Sequence, residues 1–155
     1  MTDFDIKVKN AKQVKIYGTT DRTVVLPENA KVDANRGKFD ISVESVSSVE
    51  IGIPMESGKV ELACGEASID IRDLKFEEFE IDGNDDLSIE ASGIEGSLEI
   101  NLIGSAAELR VPSGYAFRVK NAGRGCRIEG DFAETPDSGH VIELNGKDST
   151  LTIRT

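Results

Sequence analysis

The chain alternates apolar and polar positions in short bursts. No stretch carries the i, i+3, i+4, i+7 apolar spacing of an amphipathic helix over several turns. What recurs is an apolar–polar–apolar triplet, the period-two mark of a half-buried strand. It occurs as Phe39-Asp40-Ile41, Val49-Glu50-Ile51, Val60-Glu61-Leu62, Ile69-Asp70-Ile71, Phe79-Glu80-Ile81 and Leu87-Ser88-Ile89. It continues as Leu98-Glu99-Ile100, Leu109-Arg110-Val111, Phe117-Arg118-Val119, Cys126-Arg127-Ile128, Ile142-Glu143-Leu144 and Leu151-Thr152-Ile153. Every second triplet starts at Phe39, Val60, Phe79, Leu98 and Phe117, in steps of 21, 19, 19 and 19 residues. The other set starts at Val49, Ile69, Leu87, Leu109 and Cys126, in steps of 20, 18, 22 and 17.

Two strands per period of about twenty residues predict an all-β, single-domain parallel β-solenoid, each coil adding one strand to each of two faces. Short strands at ten-residue spacing also suit an antiparallel β-sandwich, which is the alternative. Over residues 1–155 the reading assigns 1–35 to N-terminal cap strands, 36–130 to regular coils, 131–139 to a loop and 140–155 to terminal strands. The cap segment holds Ile6-Lys7-Val8, Val14-Lys15-Ile16 and Thr23-Val24-Val25-Leu26 at irregular spacing, and the loop carries Pro136. Caps are expected because an open solenoid end presents unpaired backbone. Corners are marked by Ser57-Gly58, Gly83-Asn84-Asp85, Ser92-Gly93, Ser113-Gly114 and Gly123-Arg124-Gly125, where tight bends call for positive φ.

The middle residue of each triplet points outward. One outer face is predicted to read Asp40, Glu61, Glu80, Glu99, Arg118, and the other Glu50, Asp70, Ser88, Arg110, Arg127. Such charges keep sheets from stacking on one another. The sharper reading makes Asp40, Glu61, Glu80, Glu99, Glu50, Asp70, Arg110, Arg118 and Arg127 a polarised docking surface.

Charge sharpens this picture. The formal net charge is −11, and residues 44–108 hold seventeen acids against three bases. Nucleic acid is excluded as a partner class, since phosphate affinity rests on Lys and Arg. Tryptophan is absent and aromatics are 5% of the chain, too few for platforms that stack bases or sugars. Acids at Asp3 and Asp5 with no apolar run behind them do not read as a signal peptide, and the charge-free stretch 100–107 is too short to span a bilayer. Taken as complete, the chain is expected to be cytoplasmic and not to insert in a membrane. As a piece of a longer protein, it would be attached to the cell envelope.

Catalytic chemistry finds little foothold. Cys64 and Cys126 lack CxxC spacing and read as buried reduced thiols. His140, the single histidine, stands between Gly139 and Val141 without a nucleophile motif and is expected in an exposed loop or at a strand edge. Glu77-Glu78, Glu80, Asp82 and Asp85-Asp86 supply paired carboxylates, but a glycosidase also needs a shaped cleft with aromatic sugar platforms, and the aromatics here are mostly Phe at inward-reading positions. Gly83-Asn84-Asp85-Asp86 matches neither an EF-hand nor the calcium nonapeptide, so it reads as a turn. No catalytic residue, cofactor or metal is assigned.

An iteration of Ser-Gly followed by an alternating strand runs through Ser57-Gly58-Lys59-Val60-Glu61-Leu62, Ser113-Gly114-Tyr115-Ala116-Phe117-Arg118-Val119 and Ser138-Gly139-His140-Val141-Ile142-Glu143-Leu144. Over residues 26–155 this resembles the bacterial putative-adhesin family, also called toastrack domains. The resemblance implies a β-solenoid without catalytic residues that mediates protein contacts, often in cell-envelope stress-response proteins. The functional expectation is a non-enzymatic protein-interaction or structural module. The alternatives are a carbohydrate-binding or polysaccharide-acting solenoid, and a scaffold that self-associates end to end through its open coils.

Overall fold

Alternation becomes strand almost wherever it occurs. The computed structural model describes residues 1–155 and contains fifteen strands and no helix. The strands are β1 (Asp3–Lys9), β2 (Gln13–Thr19), β3 (Lys31–Asn35), β4 (Lys38–Glu44), β5 (Ser48–Pro54), β6 (Lys59–Cys64), β7 (Ala67–Arg72) and β8 (Lys75–Gly83). They continue with β9 (Leu87–Ser92), β10 (Glu95–Ile103), β11 (Ala106–Arg110), β12 (Arg118–Asn121), β13 (Arg127–Asp131), β14 (Val141–Lys147) and β15 (Thr150–Arg154).

They form two sheets: eight strands in the order β12-β14-β10-β8-β6-β1-β4-β3, and seven in the order β13-β15-β11-β9-β7-β2-β5. Every strand pairing is parallel except β3 with β4, so the antiparallel sandwich is not what forms. Inward-pointing side chains of both sheets share one core of 34 buried apolar residues, in which Phe4, Ile6, Ile16, Ile51, Leu62, Phe79 and Ile81 are almost wholly shielded from solvent.

The inner rows depart from the predicted ladders in an instructive way. On the eight-stranded sheet the row runs Phe39, Phe4, Val60, Phe79, Leu98, Ile142, Val119. Phe4 thus separates Phe39 from Val60, Ile142 follows Leu98, and Val119 rather than Phe117 ends the row. On the other sheet Val49, Val14, Ile69, Ile89, Leu109 and Ile153 align. Ile89 takes the place expected of Leu87, so Ile69, Ile89 and Leu109 follow at even steps of 20 residues. Cys126 precedes β13, and Ile128 pairs with Leu151.

The strands nearest the two chain ends are therefore threaded into the stack. β1 and β2 lie between β4–β5 and β6–β7, while β14 and β15 lie between β10–β11 and β12–β13. Residues 3–19 are not cap strands but a fully paired coil. Both termini thereby gain hydrogen-bonded neighbours on two sides, where an outermost strand would fray. Internal segments close the stack instead. At one end β3 folds back antiparallel on β4, and Val25 bridges Gly52 of β5. At the other, the expected loop at 131–139 packs over the end: the Val119 amide donates to Glu134 Oε1 at 2.7 Å, and the Thr135 amide to the Phe117 carbonyl at 2.7 Å. Of the predicted glycine corners, only Gly93 and Gly125 adopt positive φ.

Candidate interaction face

Parallel stacking turns each outward triplet residue into one rung of a column. On the eight-stranded sheet the column reads Asp33, Asp40, Asp5, Glu61, Glu80, Glu99, Glu143 and then Lys120. Threading of the terminal coils makes it continuous, because Asp5 fills the rung between Asp40 and Glu61 and Glu143 the rung beyond Glu99. The predicted Asp40, Glu61, Glu80 and Glu99 all stand in this column. Arg118 does not: it pairs with Val141, and its Nε donates to the Ser138 carbonyl at 3.2 Å. Asp5, Glu143 and Lys120 were missed. Phe4-Asp5-Ile6 and Ile142-Glu143-Leu144 repeat the triplet, and only their place in the stack was hidden.

Carboxylates about 4.8 Å apart repel, and the half-buried ones are shielded less than fully exposed ones. The structure relieves this with one shared proton. Hydrogen bonding to Glu80, then burial and Glu143, pushes the Glu99 carboxyl up to about 8. Bonds from Glu99 hold Glu80 and Glu143 below the usual carboxylate range. The next row supplies amide donors: Asn101 Nδ2 reaches Glu80 Oε1 at 3.1 Å and Asp82 Oδ1 at 2.5 Å, and Asn145 Nδ2 reaches Glu99 Oε1 and Glu143 Oε2, each at 2.8 Å. Lys59 and Lys120 flank the column, 3.4 Å from Glu61 and 3.3 Å from Glu143. Among these three carboxyls Glu99 is the one that holds its proton to the highest pH.

A pH signature follows. Between the ordinary glutamate value of 4.5 and about 8, the folded chain holds a proton at Glu99 that the unfolded chain releases. Stability from this group is complete below 4.5 and is lost as pH rises through about 8. Thermal melts should show wild type losing stability relative to Glu99→Gln as pH rises from 4.5 to about 8, the two curves separating across that window and running parallel above it. Curves parallel throughout would contradict the shared proton.

The seven-stranded sheet has a different character. Its column runs Glu50, Lys15, Asp70, Glu90, Arg110, Arg154, Asp131, with signs mixed along its length. Ser88 lies in the adjacent row with Ser68 and Glu108, and Arg127 pairs with Thr150. Ion pairs link Lys15 to Glu50 at 4.0 Å, Arg72 to Asp70 at 2.9 Å, Arg154 to Glu108 at 3.0 Å and Arg127 to Glu129 at 3.2 Å. A shallow depression of about 390 Å³ opens over Gln13, Ser48, Ser68 and Ser88, rimmed by charged Lys15, Glu50, Asp70 and Glu90, with no aromatic ring in its lining. This sheet mixes signs along its central column; on the other, the central column carries one sign from Asp33 to Glu143.

The remaining candidates have local roles. His140 is half-buried rather than exposed, its ring stacked on Tyr115 at 6.1 Å, and Tyr115 in turn stacks on Phe117 and donates to the Gly96 carbonyl. Both cysteines are free and half-buried, and burial raises the Cys64 thiol to about 11. Asp86 Oδ1 accepts the Ala106 amide at 2.8 Å, tying its corner to the next coil. No group of three or more His, Cys, Asp or Glu side chains is arranged to hold a metal ion, and no helix is long and apolar enough to cross a membrane.

No protein-family model matches the sequence, and no curated protein does. Among solved structures, a putative cell adhesion protein from Clostridium sporogenes is similar, with a TM-score of 0.57 at 12% sequence identity over 99% of this chain and 92% of that one. At that identity the likeness is one of fold.

Proposed function

We propose that this protein is a non-enzymatic, adhesin-like interaction module: a β-solenoid of about twenty residues per turn whose eight-stranded sheet docks a basic protein surface. The observation that carries the reading is the unbroken column of carboxylate side chains from Asp33 to Glu143. A single-sign stripe on a rigid sheet steers an oppositely charged partner and sets its orientation. The opposite sheet, whose column mixes acids with Lys15, Arg110 and Arg154, lacks this field. Likeness in fold to a protein described as a cell adhesion protein supports the same class of role, as does the Ser-Gly strand pattern shared with toastrack domains.

The test compares two triple variants for binding to a lysine-rich peptide at low salt. Glu61→Gln with Glu80→Gln and Glu143→Gln neutralises three charged rungs of the column. Glu50→Gln with Asp70→Asn and Glu90→Gln removes the same formal charge from the other sheet. The first is expected to weaken binding about tenfold and the second to leave it near wild type. Equal losses would mean the peptide senses net charge alone, and the docking role falls.

A further inference from the structure

We infer that the free edge of β3 is a self-recognition strand, through which two copies of this chain pair antiparallel about a two-fold axis into one continuous sheet. β3 is the last strand of the eight-stranded sheet, and the facing sheet has one strand fewer. All five of its residues are exposed, including Val32 at 46%, although Val32 pairs with the buried Ile41 and so lies on the core side. One side of its backbone bonds to β4; the other presents unpaired N–H and C=O groups, the template for an added strand.

The pleat and the charges select both occupant and register. Lys31, Asp33 and Asn35 share the outer face with Ser42, Asp40 and Lys38, while Val32 and Ala34 share the inner face with Ile41 and Phe39. A two-fold axis perpendicular to the sheet keeps inner residues opposite inner ones, so the axis must pass through a residue. Centring on Lys31 opposes two lysines, and centring on Asp33 opposes two aspartates. Centring on Val32 sets Lys31 against Asp33 twice and Val32 against its own copy. Centring on Ala34 or Asn35 sets no opposite charges against each other, so only the Val32 register is complementary, and it gives Asp33, the last rung of the acidic column, a cation from the second copy. The opposite end of the same sheet is not open in this way, because Glu134 already accepts the Val119 amide. Pairing therefore closes as a dimer and does not grow into a filament.

This goes beyond the docking role; Asp33 belongs to both, while Lys31 and Val32 lie outside the acidic column. Sedimentation of the full chain over a wide concentration range is expected to show a monomer–dimer equilibrium. Lys31→Asp alone, or Asp33→Lys alone, places like charges opposite each other at both symmetric positions and should weaken the dimer about tenfold. The double swap Lys31→Asp with Asp33→Lys should restore it, an outcome that surface charge in general does not predict. The Glu61, Glu80 and Glu143 variant should dimerise like wild type, so the two proposals fail separately. A wild type that stays monomeric throughout, a dimer indifferent to the single reversals, or a double swap that fails to restore it would overturn the inference.

Discussion

Deleting residues 140–155 should abolish cooperative unfolding, although in a stack built in chain order it would only shorten one end. The deletion removes β14 and β15, which lie between β10–β11 and β12–β13. Ile142, Leu144, Leu151 and Ile153 are all 0% exposed. At about 1.5–3 kcal/mol for each fully buried aliphatic side chain, their loss is on the order of 10 kcal/mol, comparable to the 5–15 kcal/mol that typically holds a domain together. The cost reaches beyond the deleted residues, since β12 and β13 have no other strand neighbours. Amide hydrogen exchange should find residues 118–131 unprotected. A cooperative melt with those amides still protected would mean that β12 and β13 had closed onto β10 and β11.

Gly146→Ala should be the most damaging single methyl in the chain's later half. Gly146 pairs with Leu102 in the threaded strand β14 and adopts φ +115. A Cβ there would stand 1.8 Å from the Leu102 carbonyl oxygen and 2.8 Å from its carbon. These are backbone atoms of a neighbouring strand, so no side-chain rotation makes room. Strain and displacement together should cost about 3 kcal/mol or more, a fall in Tm of about 6–12 °C for a chain of this size. Gly114→Ala is the control: a Cβ there meets nothing within 4 Å, and its effect should stay within about 0.5 kcal/mol. Equal effects at the two positions would contradict the close approach of β14 to β10.

Strand content, inward residues and the parallel two-sheet arrangement were legible because period-two alternation dictates which side chains need burial. The order of the coils was not. Phe4, Phe39 and Val60 are interchangeable as inward neighbours, so nothing in their chemistry says which lies beside which. The second ladder is locally ambiguous: Leu87-Ser88-Ile89-Glu90-Ala91 contains two overlapping triplets, and alternation alone does not choose between them. Pairing Ile89 with Ile69 brings Leu87 against the small Ala67 and Ala91 against Ile71. The acidic character of one face was visible in Asp40, Glu61, Glu80 and Glu99. Its continuity depended on Asp5 and Glu143, distant in sequence and adjacent only after threading. Asp33 reaches the column by an antiparallel return that alternation does not foretell.

Continuity of the column is the claim on which the structure and its proposed role both depend, and short-range crosslinking tests it most directly. With Cys64 and Cys126 replaced by serine, cysteines are placed in pairs at Asp5 and Glu61, Asp5 and Asp40, and Asp40 and Glu61. A reagent that spans one inter-strand spacing of about 4.8 Å but not two should link the first two pairs and leave the third unlinked. Efficient linking of positions 40 and 61, with position 5 linked to neither, would put the coils in chain order and break the column.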